Sequence, residues 1–239
     1  YILRDNSIAY FMSKVEEEPA LGKVTPFAFL RLPKVPAEML ARVYAFFREV
    51  EDRYHTEALA FIYYHPEQNE FLIEIPPQEV SAAGVHYTPP PNPLGYIRAV
   101  VLHSHPFGAH SAFRSGTDQH DEAARDKEGI HAVLGFGKGK LEVPEMDVVL
   151  AAGPTTYNVA PEKIFAVATE KVKGRTFYNG QWAETTAIEA SSFLPLVTAT
   201  EVPDSWFQKL TKASASSTLG MVVQKDVVSA ITTSSQYRN

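Results

Sequence analysis

Ala99-Val100-Val101-Leu102-His103-Ser104-His105-Pro106 joins an apolar run to a polar end. Consecutive apolar residues of this kind read as a buried strand. Residues two apart on a strand point the same way, so both imidazoles can reach one point. Ser104 faces the other side, where packing or backbone support is its expected role. Downstream, Ser115-Gly116-Thr117-Asp118 returns a carboxylate after a loop of glycine, serine and aromatic residues. Two histidines and a carboxylate are a typical ligand set for a catalytic zinc that keeps its fourth position for water. Each half also has an ordinary explanation. His-x-His pairs are common on surfaces and as satisfied core histidines, and Ser115-x-x-Asp118 is a helix-capping pattern ahead of Glu122-Ala123-Ala124-Arg125. The combination, in this order behind an apolar strand, points to a metal hydrolase. The two readings coexist, because a carboxylate in the first turn of a helix is held firmly, as a ligand must be.

Working outward, residues 1–35 hold short strand candidates, Ile8-Ala9-Tyr10-Phe11 and Phe27-Ala28-Phe29-Leu30, on either side of the acidic turn Glu16-Glu17-Glu18-Pro19. Pro36 opens a helix, where its missing N–H costs nothing. Met39, Leu40, Val43, Phe46, Phe47 and Val50 recur at helical spacing and form one buried stripe. Residues 57–64 are a strand rich in aliphatic and aromatic side chains. His65-Pro66-Glu67-Gln68-Asn69 is a hairpin turn and residues 71–75 the return strand. Pro89, Pro90, Pro91 and Pro93 make a stiff connection that no central strand tolerates. Residues 96–102 deliver the histidines, and 117–127 form a helix with Glu128-Gly129 near its end. Residues 131–136 and 146–151 are further strands, and Pro161 begins a short helix. Asn179-Gly180 centres a small hairpin. Residues 214–218 are Ser-rich and read as loop, and 219–231 are apolar enough to pack. Hairpin-linked strands alternating irregularly with helices predict an α+β fold with a mixed, mainly antiparallel sheet flanked by helices.

Composition narrows the function classes. The 239 residues, 45% hydrophobic and 21% charged, suffice for one sizeable core or one core plus an appendage. A formal charge of −6 offers no bulk attraction for nucleic acid. There is no cysteine, so disulfides and a thiol nucleophile are excluded, and any zinc must sit on His, Asp or Glu. No apolar run approaches the length of a membrane span, and the expected location is cytoplasmic. The chain begins with Tyr1, which leaves a removed leader open.

His-Ser-His-Pro followed by Ser-x-x-Asp resembles the signature of the JAMM (JAB/MPN+) metalloprotease family. The likeness is closer to its prokaryotic branch, where the tract after the histidines reads much like Ser111-Ala112-Phe113-Arg114-Ser115-Gly116-Thr117-Asp118. Asp121-Glu122 and Ala132-Val133-Leu134-Gly135 are further similar to the PRTRC system protein A family within that branch. The likeness covers roughly residues 36 to 170, and only the motif is sharp. Eight residues separate Pro106 from Ser115, against about six in the family pattern, an insertion of the kind loops tolerate.

The resemblance implies an MPN/JAB-like fold, with an N-terminal strand extension at 1–35, the metallohydrolase domain at 36–170 and a C-terminal extension at 171–239. It implies Zn2+ on His103, His105 and Asp118, with Asp121 the first alternative to Asp118. Glu57, upstream at the start of a core strand, would be the general base. Its rivals are Glu51, Glu70 and Glu74, and its ordinary role would be an exposed residue at the strand end. Ser115 would donate a hydrogen bond to the tetrahedral oxyanion. His110 and His120 are expected in solvent. The implied activity is hydrolysis after the C-terminal tail of a ubiquitin-like protein, with activating- or conjugating-enzyme-like proteins as further partners. Two other readings remain: a non-catalytic interaction scaffold, and a zinc hydrolase of small amides. A nucleobase deaminase normally uses Cys ligands, which this chain lacks.

Overall fold

The structure, a computed structural model, describes residues 2–5, 9–13, 28–105, 112–114, 128–136, 144–152, 155–178 and 181–213. Helix α1 spans Ala37–Tyr54 behind Pro36, which is the N-cap. The expected stripe is its buried face: Leu40, Val43, Phe46, Phe47 and Val50 are fully buried, joined by Ala41 and Tyr44, while Met39 is half-buried. The helix ends at His55, which takes the left-handed conformation (φ 53°, ψ 48°) and returns its N–H to the Glu51 carbonyl at 3.0 Å. That reversal turns the chain from α1 into the sheet within a few residues.

Strands β1 (Ile2–Asp5), β2 (Ala9–Ser13) and β3 (Ala28–Leu30) form a small antiparallel sheet. The main sheet is built from β4 (Leu59–His65), β5 (Glu70–Glu74), β8 (Ile97–His105), β9 (Glu128–Gly135), β10 (Glu145–Ala152), β11 (Thr155–Asn158), β12 (Thr169–Tyr178) and β13 (Gln181–Ile188). Its order is β12-β13-β10-β9-β8-β4-β5, with β11 also on β10. Only β8 and β9 run parallel; the other pairs are antiparallel. The α+β, mainly antiparallel expectation therefore holds. A parallel pair needs a crossover of a dozen or more residues, and residues 106–127 supply it. The helix expected at 117–127 lies outside the described residues. The strand expected at 131–136 starts earlier, since Glu128 and Gly129 open β9. The hairpin expected at Asn179-Gly180 is larger than a small one, since β12 and β13 pair from Thr169↔Ile188 to Tyr178↔Gln181.

Side chains alternate between the two faces of the sheet with the period of two that strands impose. Ala60, Ile62, Val100, Leu102, Ile130, Ala132, Leu134, Met146, Val148 and Leu150 share one core with α1. Short helices complete that layer: α2 (Pro161–Ile164), α3 (Ala190–Thr198) and α4 (Asp204–Phe207). Phe193 packs its ring 5.8 Å from Tyr44, and Trp206 meets Phe46 edge-on at 5.5 Å. The main sheet thus continues past residue 170, and residues 190–207 pack on α1. The opposite face carries Leu59, Phe61, Tyr63 and Val101 in a second cluster.

A third sheet was not foreseen. Strands β6 (Gln78–Ser81) and β7 (Gly84–Tyr87) form a hairpin, and β14 (Leu210–Lys212) pairs parallel to β6. Among the described residues no helix is long and apolar enough to cross a membrane. The sequence tract 219–231 lies outside the described residues.

Phe47 is fully buried in the core between α1 and the sheet. Phe47→Ala is expected to cost about 3–5 kcal/mol in urea unfolding. Exposed Glu38→Ala should stay within about 0.5 kcal/mol of wild type; a comparable loss in both would remove Phe47 from the core.

Candidate metal centre

Both histidines occupy the C-terminal end of β8, on the face away from α1. Their Nε2 atoms lie 3.2 Å apart, and their ring centroids 5.0 Å. Two nitrogens each bound at 2.0–2.1 Å to one tetrahedral zinc stand about 3.3 Å from one another. The pair therefore fits a shared zinc with little movement. His105 is buried and His103 half-buried, so a cation there would keep one open side. Phe113 turns its ring edge-on to His105 at 5.2 Å, and the next residue, Arg114, reaches Asp147 at 3.4 Å. Residues 112–114 are thus laid over the histidine face immediately before Ser115.

Glu57 sits at the same end. The β4–β8 register sets Leu59 opposite His103. Ser104 N–H donates to the Ala58 carbonyl at 2.9 Å, which carries the register one place further. β4 starts at Leu59, two residues later than the sequence spacing predicts, and the same register carried on one more place would set Glu57 opposite His105. Directly opposed residues of an antiparallel pair share a face, so Glu57, His103 and His105 project to the same side. The main chain there is held on both edges. Glu57 N–H donates to the Ser81 carbonyl at 2.9 Å, and Ala58 N–H to Ser104 Oγ at 3.0 Å. Past the end of β5, Gln78 takes over as partner of Leu59: its Oε1 accepts from Leu59 N–H and its Nε2 donates to the Leu59 carbonyl, both at 2.8 Å. Pro76 and Pro77 cannot donate to a ladder, and the buried Gln78 amide stands in for a strand.

The rival carboxylates lie elsewhere. Glu51 is on α1, against the other face, with Oε1 3.7 Å from His55 Nδ1; burial raises its pKa above the ordinary carboxylate value, partly countered by His55. Glu70 is exposed at the far end of the β4–β5 hairpin and accepts from the Tyr96 hydroxyl. Glu74 faces Phe61, one strand further from the histidines.

The sequence reading missed several neighbours on this face. Following the register across β9 and β10, one row reads Glu57, His105, Gly135, Glu145, and the next Leu59, His103, Val133, Asp147. Glu145 is buried and is separated from His105 by a glycine without a side chain. The period-two pattern of 145–152 is the signal that could have found it. Gln78 and Ser81 carried no such signal. Ser104 gives the backbone support expected of it. Ser115, Asp118, Asp121, His110 and His120 lie outside the described residues. Among the described residues no group of three or more His, Asp or Glu side chains is placed to hold a metal ion.

Zinc titration of the metal-free chain should saturate at about one equivalent. His103→Ala and His105→Ala should each abolish stoichiometric binding, read by metal analysis; full retention in both would remove the histidines from any metal site. The chain matches no protein-family model and no curated protein sequence.

Proposed function

We propose that the chain is a zinc-dependent peptidase or isopeptidase of the JAMM type, on an MPN/JAB-like fold. The observation that carries the reading is one geometry: two Nε2 atoms at the spacing of a shared zinc, with Glu57 in register beside them. When bound, zinc supplies Lewis acidity and brings the pKa of a water to about 7.

The chain's own residues do the rest. His103 and His105 hold the cation from rigid β-strand positions, and Asp118 completes the ligand set by the order of the motif. Glu57 takes the proton of the attacking water and passes it to the leaving amine. Its backbone is held at residues 57, 58 and 59, so its carboxylate starts from a defined position. Ser115 donates to the developing oxyanion, a contribution of about 3–4 kcal/mol for a donor of this kind. Phe113 against His105 shields the site from water on one side. The substrate proposed from the sequence resemblance is the C-terminal tail of a ubiquitin-like protein joined to a lysine or a short peptide. Activating- or conjugating-enzyme-like proteins are proposed as further partners, and the cytoplasm as the compartment.

Glu57→Gln keeps the shape and removes the proton acceptor. Zinc content should stay at the wild-type level while turnover of a ubiquitin-like fusion falls by about 10²–10⁴. Normal turnover would move the base to another carboxylate. A wild-type protein that binds zinc but prefers small amides would be a small-molecule amidohydrolase, and one that binds no zinc would be a scaffold.

A further inference from the structure

A hydrogen-bonded pair in an antiparallel ladder exchanges two main-chain N–H···O=C bonds. Ala58 and Ser104 exchange one. Ser104 N–H donates to the Ala58 carbonyl at 2.9 Å, but Ala58 N–H donates to the Ser104 hydroxyl at 3.0 Å. Ser104 is fully buried. The acceptor has moved from the main chain to a side chain, so the spacing of β4 and β8 at this pair is set by a hydroxyl and not by a peptide plane. This happens between His103 and His105 on one strand, and directly beside Glu57 on the other. Across β4, the Gln78 amide brackets Leu59 with both of its 2.8 Å bonds, and the Ser81 carbonyl takes the Glu57 N–H.

We propose that Ser104 is a positioning residue: its hydroxyl fixes the separation of Glu57 from His105, and Gln78 braces the outer edge against that setting. The proposal rests on Glu57 being the general base. The hydroxyl touches no substrate and acts only through the backbone of Ala58. A shift of about 1 Å in a catalytic group can cost about 10²-fold in rate, so the bond matters more for turnover than for folding.

The test compares Ser104→Ala with Ser104→Thr in the full chain. Three readouts are taken: amide exchange at Ala58 in metal-free protein, zinc affinity by chelator competition, and kcat and KM on a ubiquitin-like fusion. For Ser104→Ala, exchange at Ala58 should rise about tenfold, as loss of one hydrogen bond predicts. Zinc affinity and KM should stay within about threefold, while kcat falls about 10–100-fold. Ser104→Thr, which keeps the hydroxyl, should recover both kcat and protection of Ala58. Wild-type kcat in Ser104→Ala overturns the proposal. So does an equal loss in the alanine and threonine variants with Ala58 still protected, since that outcome is one of packing. If Ser104→Ala does not fold, Gln78→Met carries the test: it removes both bonds to Leu59, and an unchanged kcat overturns the proposal. Failure of the hydrolase reading appears separately, as wild-type protein that binds zinc but cleaves neither fusion nor amide, and the positioning role then falls with it.

Discussion

The antiparallel register of β4 against β8 is the constraint on which the histidine end of the molecule depends. With Leu59 opposite His103, the same register carried on two places brings Glu57 to His105, and the alternate residues Ala58 and Ala60 enter the core beneath α1. A slip of one residue would exchange the faces. Glu57 would then point into that core, where an uncompensated carboxylate is costly, and Ala58 would stand beside the imidazoles. Burial of both strands therefore enforces this register. The same alternation in β9 and β10 sends Ile130, Ala132, Leu134, Met146, Val148 and Leu150 to the core and leaves His131, Val133, Asp147 and Glu145 on the histidine side.

The open end of β4 needs partners that the main sheet does not provide. β5 stops at Glu74, and two prolines follow. β6 fills the gap with a carbonyl and a side-chain amide, and β6 is itself paired on one edge by β7 and on the other by β14. Gln78 N–H donates to the Lys209 carbonyl and Ala213 N–H to the Val80 carbonyl, each at 2.9 Å. Residues 209–213 are thus linked through β6 to Glu57, although they lie more than a hundred residues away in the chain. Just before them, α4 anchors this segment through Trp206 and Phe207 against Phe46 of α1, with the Arg53 guanidinium 4.3 Å over the Phe207 ring. The support of the candidate base runs from the core helix through the C-terminal segment to β6.

Much of the fold was legible because burial imprints itself on spacing. The α1 stripe, the β4–β5 hairpin, the histidine strand and the pairing around Asn179-Gly180 all carry a local period or a turn signal. The β6–β7 hairpin did not: Gln78, Glu79, Val80 and Ser81 show no strong alternation, and their strand character comes from partners on Lys209, Ala213 and Leu59. Glu128 and Gly129 looked like the end of a helix, because glycine often follows one; pairing with Ala152 and Ala151 draws them into β9 instead. At the site, the histidines were legible from the strand period. Glu57 was only one of several carboxylates until the register separated it from Glu51, Glu70 and Glu74.

By itself the sequence determined what is local: a strand that aims His103 and His105 to one side, an amphipathic helix before it, a serine and an aspartate returning at 115 and 118, and the absence of any thiol. Those properties follow from the residue order and from the fixed periods of helix and strand. Tertiary structure alone decided that the rival carboxylates lie away from the histidines, that a glycine opens the row between His105 and Glu145, and that a serine hydroxyl and a glutamine amide take the place of main-chain partners at Ala58 and Leu59, next to Glu57. These are relations between segments far apart in the chain. Strand register and burial set them, and no short stretch of sequence contains both sides of such a pairing.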